Sequence, residues 1–190
     1  MAATEDKHRI LILGDSISAG YGVPANNGWV ALLSDALSAK AKVINASISG
    51  ETTVGGRDRI HQLLEQHQPT VVVIELGGND GLRGFPLNSI EQNLSHMIEQ
   101  SQKSQACGIV LLGMRIPPNY GSRYSEGFYN MYGDLADSYK TYLVPFFLEG
   151  IATRPTLMQQ DGIHPTSEAQ SLLLENALPT INQAMLNCQR

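Results

Sequence analysis

The run Val71-Val72-Val73-Ile74 constrains this chain more than any other feature. It is too short for a buried helix and too continuously apolar for a strand with one face in water. Such a segment belongs at the centre of a parallel sheet, covered on both faces. Thr70–Leu76 is therefore expected as an inner strand, and His8–Leu13, built on Ile10-Leu11-Ile12-Leu13, as another. Lys42–Ala46 and Gly108–Met114 read as two more, with Tyr142–Phe147 a short edge strand because Pro145 cannot donate to a ladder. Helical spacing fills the intervals. Trp29–Lys40 places Trp29, Leu32, Leu33, Ala36 and Leu37 on one face, and Thr53–Gln66 and Ser125–Lys140 follow the same period. Ser89–Lys103 and Ser167–Leu186 each open on a capping-box spacing, Ser89…Gln92 and Ser167…Gln170, and Pro179 is expected to kink or split the latter helix. Alternation of this kind predicts an α/β fold, a parallel sheet with helices on both faces. No linker or repeat interrupts it, so residues 1–190 read as one domain.

Charge removes several functions. Lys+Arg 13 against Asp+Glu 18 leaves a net charge of −5, without the basic stripe that a nucleic-acid binder needs. The aliphatic runs fall far short of the roughly 20 residues that span a membrane, so no stable insertion is expected. The first residues, Met-Ala-Ala-Thr-Glu-Asp-Lys, have no apolar stretch that would act as a leader. Cys107 and Cys188 match no zinc or CxxC spacing; Cys107 reads as a buried small hydrophobe and Cys188 as part of the C-terminal tail.

In open parallel sheets ligands bind beyond the carboxyl ends of the strands. Polar residues that the core does not need gather there. Gly14-Asp15-Ser16 follows the first strand, Ser47-Ile48-Ser49-Gly50-Glu51 the second, and Gly77-Gly78-Asn79-Asp80 the third, while Asp161-Gly162-Ile163-His164 precedes the last helix. Acyl transfer needs an activated hydroxyl, a base with an orienter, and donors for the developing oxyanion. Ser16 supplies the hydroxyl, and the three-residue spacing from Asp161 to His164 puts a carboxylate beside an imidazole. No G-x-S-x-G elbow occurs, which disfavours the α/β-hydrolase fold despite the same Ser…Asp…His order. Each block also has a plainer explanation: Asp15-Ser16 as a helix cap, Gly77–Asp80 as a turn, Asp161/His164 as two ligands of a metal that lacks a third. Their coincidence at one end of one sheet favours chemistry.

These four blocks resemble those of the SGNH (GDSL-type) hydrolases, in order and over nearly the whole chain, with Gly-Asp-Ser-Ile in place of Gly-Asp-Ser-Leu. Val43–Gly50, Glu75–Phe85 and Pro118-Asn119-Tyr120-Gly121 further resemble the bacterial acyl-CoA thioesterase I / lysophospholipase / arylesterase subgroup. The resemblance implies a three-layer α/β/α, flavodoxin-like fold with a central sheet of about five parallel strands. It implies Ser16 as nucleophile, His164 as base and Asp161 as its orienter, with the oxyanion held by the Ser16 and Gly50 N–H groups and the Asn79 amide. A glycine at position 50 would let that N–H approach closely.

The resemblance further implies an open groove in which acyl chains lie along Gly77–Phe85 and Arg115–Tyr124, so Asp15, Gly78, Arg83, Arg115, Ile116, Pro117 and Tyr120 are the candidate substrate contacts. Gly78, Gly81 and Gly84 are expected to make the first loop mobile. The expected substrates are small acyl or aryl esters, acyl thioesters and lysophospholipids, turned over without cofactor or metal by a monomer. Carbohydrate O-deacetylation and a catalytically silent lipid- or glycan-binding role are the competing functions. A flavodoxin-like phosphate site fails for want of a Gly-Lys cradle. The resemblance points to the periplasm or secretion, with the cytoplasm left open by the plain start of the chain.

Overall fold

The computed structural model describes residues 8–104 and 106–188; the start Met-Ala-Ala-Thr-Glu-Asp-Lys lies outside them. Its strands are β1 (His8–Gly14), β2 (Ala41–Asn45), β3 (Val71–Glu75), β4 (Gly108–Leu112) and β5 (Tyr142–Val144). They form one parallel sheet in the order β2-β1-β3-β4-β5, with Ile12 beside Val73 and Val73 beside Val110. β3 and β4 are buried along their whole length, as continuous apolar runs require.

The helices are α1 (Ser16–Ala19), α2 (Trp29–Ala36), α3 (Thr53–His67), α4 (Gly78–Leu82), α5 (Leu87–Lys103), α6 (Ser122–Tyr139) and α7 (Gln170–Asn187). α2 packs with α7, and α5 with both α3 and α6, so the sheet is covered on both faces. The core joins Trp29, Leu33 and Phe147 to Ile181 through the strands, and Ile60, Met97 and Phe128 line the other side. Strand order reverses between β1 and β3, where open α/β sheets leave a crevice.

Several expectations on detail are corrected. Neither capping box forms. α5 starts two residues early, after Pro86, whose φ of −58° already suits a helical start. Ser167–Ala169 is a 3₁₀ turn, and Gln170 turns its side chain to long-range work, accepting from the Trp29 N–H at 2.9 Å and donating to the Thr166 carbonyl at 3.0 Å. Pro179 sits inside α7 without splitting it, at an exposed position where the freed carbonyl can meet water. β5 stops at Val144, just before Pro145. Cys107 is exposed and joined to Cys188 in a disulfide, Cα–Cα 5.2 Å, that pins the end of α7 to the start of β4. Two cysteines 81 residues apart give no local signal of pairing.

Candidate active site

The site grows from the end of β1. A Cβ on Gly14 would come within 2.7 Å of Ser18 Cβ and 2.8 Å of Glu75 Oε2, so only glycine lets the chain turn tightly into α1. Asp15 then caps that short helix, its Oδ1 accepting from the Ile17 N–H at 3.0 Å. Ser16 is the first helical residue, so its N–H has no intrahelical acceptor and its hydroxyl faces the crevice.

The Ser16 hydroxyl lies 2.9 Å from His164 Nε2, and His164 Nδ1 lies 2.6 Å from Asp161 Oδ2. Asp161 Oδ1 accepts from the backbone N–H groups of Ile163 and His164 at 2.9 and 3.0 Å. Hydrogen bonds from the His164 ring and then from those two N–H groups lower the Asp161 pKa to about 2. A carboxylate so held keeps a proton on Nδ1 and leaves Nε2 to accept one from Ser16. The ring of Tyr21 covers His164, centroids 4.5 Å apart.

The oxyanion side is built differently. Gly50 has a φ of +79°, and a Cβ there would meet nothing within 4 Å. The left-handed backbone is by itself a reason for glycine at this position. The Gly50 N–H has no partner among the described residues. Glu51, next in sequence, is clamped by Arg59 through Nε at 3.0 Å and through Nη2, and Arg59 also bonds the Ala46 carbonyl. Asn79 Nδ2 donates to the Glu51 carbonyl at 3.0 Å and to Asp15 Oδ2 at 3.2 Å. Asp80 accepts from the Thr53 N–H and hydroxyl, which fixes α4 against the start of α3.

Behind Ser16 lies an acid that no sequence pattern singles out. Glu75 is wholly buried at the end of β3, and its Oε2 accepts from the Ser18 hydroxyl at 2.7 Å and the Asp15 N–H at 3.3 Å. Trp29 Nε1 donates to the same Ser18 hydroxyl. Burial, with Asp15 alongside, raises the Glu75 pKa well above its ordinary value. Burial also raises Asp15 from 3.8 to about 6, against the Ile17 N–H and the charge of His164. Of the two, Glu75 is the more deeply buried acid, and Asp15 is the one that Asn79 faces.

A cavity of about 390 Å³ opens beside Ser16. Asp15, Gly78, Arg115, Ile116 and Pro117 line it, as do Ile17, Leu82, Met114, Phe146, Leu148, Met158 and Ile163, which sequence reasoning did not name. Much of the missed wall follows β5, where Phe146 reads as part of the expected edge strand and Leu148 lies just beyond its end. Arg83 and Tyr120 are not in the lining. Arg83 is exposed at the end of α4, and the Tyr120 hydroxyl is spent on the Leu82 carbonyl at 2.7 Å. Gly78–Leu82 is helical, and a Cβ on Gly81 would strike Ile116 and Phe128, so this glycine serves packing rather than mobility. Arg115 stacks over Tyr129 with its guanidinium 4.0 Å from the ring centre. Among the described residues no group of three or more His, Cys, Asp or Glu side chains could hold a metal ion, and no helix is long and apolar enough to cross a membrane.

Comparison with known proteins agrees with this geometry. Residues 12–172 match the model of the GDSL-like lipase/acylhydrolase family. An arylesterase from Vibrio mimicus is 50% identical over 177 residues, 92% of this chain and 88% of that protein. The Escherichia coli (strain K12) protein called thioesterase 1/protease 1/lysophospholipase L1 is 47% identical over 87% of this chain and 79% of its own length. A crystal structure of TesA superimposes with a TM-score of 0.89 at 49% identity, covering 93% of this chain and 99% of that one.

Proposed function

The chain belongs to the GDSL-like lipase/acylhydrolase family, and on that premise we propose that it hydrolyses acyl and aryl esters, acyl thioesters and lysophospholipids through an acyl-enzyme on Ser16. It is a serine ester and thioester hydrolase. The single observation that carries the mechanism is the unbroken chain from Ser16 Oγ to His164 Nε2 and from His164 Nδ1 to Asp161.

Ser16 Oγ attacks the acyl carbon as His164 Nε2 takes its proton, and Asp161 stabilises the imidazolium that forms. The oxyanion gathers the N–H groups of Ser16 and Gly50 and one hydrogen of Asn79 Nδ2. At rest both hydrogens of that amide are engaged, and the one shared with Asp15, at 3.2 Å the longer bond, is the one released. His164 then protonates the departing alkoxide or thiolate, and water repeats the sequence to free Ser16. The acyl chain lies in the mostly apolar cavity, whose volume of about 390 Å³ suits a medium chain better than the acetyl group of an O-deacetylase substrate. Every group comes from one chain, which supports action as a monomer.

Export to the periplasm or beyond is supported by the Cys107–Cys188 disulfide, since such bonds persist in oxidising compartments. Alkylation of thiols in intact cells is expected to leave both cysteines unmodified; their full labelling would place the protein in a reducing compartment. The function itself is tested by turnover of p-nitrophenyl esters and acyl-CoA across chain lengths beside Ser16→Ala. Medium chains are expected to exceed acetyl, with the variant inactive. Turnover of acetyl esters alone would favour deacetylation instead.

A further inference from the structure

Seven large apolar side chains are exposed among the described residues, and six of them lie at the catalytic end of the sheet. They are spread with one for each strand-end loop: Tyr21 after β1, Ile48 after β2, Phe85 after β3, Tyr120 after β4 and Ile163 after β5, with Val54 on the first turn of α3. Their exposures run from 37% to 53%. Leu186, the exception, is near the end of α7, at the opposite end of the sheet beside the Cys107–Cys188 disulfide. Single exposed hydrophobes need no explanation, but a ring on one face does. The acyl cavity does not supply it, because of the six only Ile163 lines that cavity.

Charge adds a second, independent pattern. Arg83, Arg115 and Arg123 stand on the loops after β3 and β4 and the first turn of α6, beside Phe85 and Tyr120, and none is in an ion pair among the described residues. Lys40, Lys42, Lys103 and Lys140 sit instead where the strands begin or the helices end, at the far side of the sheet. Arginine is the cation that bonds phosphate through two N–H groups and sheds its water easily. The chain's net charge of −5 opposes attraction to an anionic surface as a whole. A phosphate-bearing surface of zero net charge meets both conditions.

We infer that the catalytic end of the sheet seats on aggregated zwitterionic phospholipid, with Ile48, Phe85, Tyr120 and Ile163 in the interfacial layer and Arg83 and Arg123 on its phosphates. Amphipathic aromatic and arginine side chains are suited to that depth. The docked face brings the mouth of the cavity to the lipid, so a single-chain phospholipid passes from aggregate to Ser16 without crossing water. This rests on the ester-hydrolase function above and specifies how a lipid substrate reaches the site.

Two measurements decide it. Ser16→Ala is sedimented with vesicles of phosphatidylcholine, of phosphatidylglycerol, and with phosphate-free monoacylglycerol particles. Parent turnover of lysophosphatidylcholine is followed through its critical micelle concentration, beside p-nitrophenyl butyrate without lipid. Ser16→Ala is expected to sediment with phosphatidylcholine and less with phosphatidylglycerol, and turnover is expected to rise at micelle formation. Ile48→Ser/Phe85→Ser is expected to lose about tenfold on micelles and keep the soluble ester within about twofold. Arg83→Gln/Arg123→Gln should weaken sedimentation with phosphatidylcholine and leave the monoacylglycerol arm unchanged. Protein left in the supernatant, a smooth rate through micelle formation, or preference for phosphatidylglycerol would overturn the docking. Failure of the parent on the soluble ester would strike the hydrolase function instead, and sedimentation would still decide the docking.

Discussion

The two sides of Ser16 are built from opposite materials. On the base side, Asp161 and His164 are three residues apart on one loop, and the Asp161 side chain is 39% exposed. On the oxyanion side, Asn79, Asp15, Glu75 and Ser18 come from segments about sixty residues apart and are mostly buried. A local pair can be solvated because its geometry is set by its own turn, where two backbone N–H groups fix Asp161. A pair assembled across β1 and β3 has no such turn, and burial with shared hydrogen bonds holds it instead. The base side is therefore expected to respond to loss of a single charge, and the oxyanion side to changes in packing and pH.

The largest effect should come from the exposed side. Asp161→Asn keeps the shape but offers an amide where the carboxylate held Nδ1–H, so kcat is expected to fall about 10³- to 10⁴-fold with the fold intact. Steady-state kinetics beside a thermal melt checks this, and a loss below tenfold would mean that the Asp161 turn is merely structural. Next, Asn79→Ala removes one oxyanion donor and is expected to lower kcat by about 10²- to 10³-fold with KM little changed. A rise in KM at constant kcat would move Asn79 from the transition state to substrate binding.

The smallest effect sharpens the contrast. Asp15 and Glu75 both hold protons to higher pH in the folded chain than in the unfolded one. The folded state thus binds more protons above the ordinary carboxylate range, and stability must fall as pH rises, from about 4 through 6 and beyond. Glu75→Gln keeps an acceptor for the Ser18 hydroxyl and the Asp15 N–H while removing the titrating group. Its melting temperature should decline less than the parent's between about pH 5 and 8 (where the unfolded chain has already lost these protons), with kcat at pH 7 within about tenfold. Equal slopes for both proteins would show that Glu75 carries no proton in that range. Asp161 behaves oppositely, since its lowered pKa adds stability above the carboxylate range that is lost only as pH falls toward 2.

The same division explains what could be read in the sequence. The strands declared themselves because burial on both faces writes an unbroken apolar run, and the Asp161…His164 pair because its spacing is local. Ser16, Gly50 and Asn79 were legible through their places at strand ends and their resemblance to known blocks. Glu75 read as the tail of a strand, because what makes it unusual is Ser18 and Asp15, 57 and 60 residues away. The cavity wall after β5 and the disulfide were hidden for the same reason. Arg83 and Tyr120 stand on the expected loops but outside the cavity lining: the first is exposed at the end of α4 and a hydrogen bond to Leu82 holds the second.

The central claim is that one hydroxyl, primed by a local pair and served by a buried one, carries the acyl group. Rapid quenching during turnover of a p-nitrophenyl ester, followed by intact-mass and peptide mass measurement, tests it most directly. A single acyl adduct on the Ser16 peptide is predicted, absent from Ser16→Ala and formed far more slowly by Asp161→Asn. An adduct on another residue, or undiminished turnover by Ser16→Ala, would contradict it.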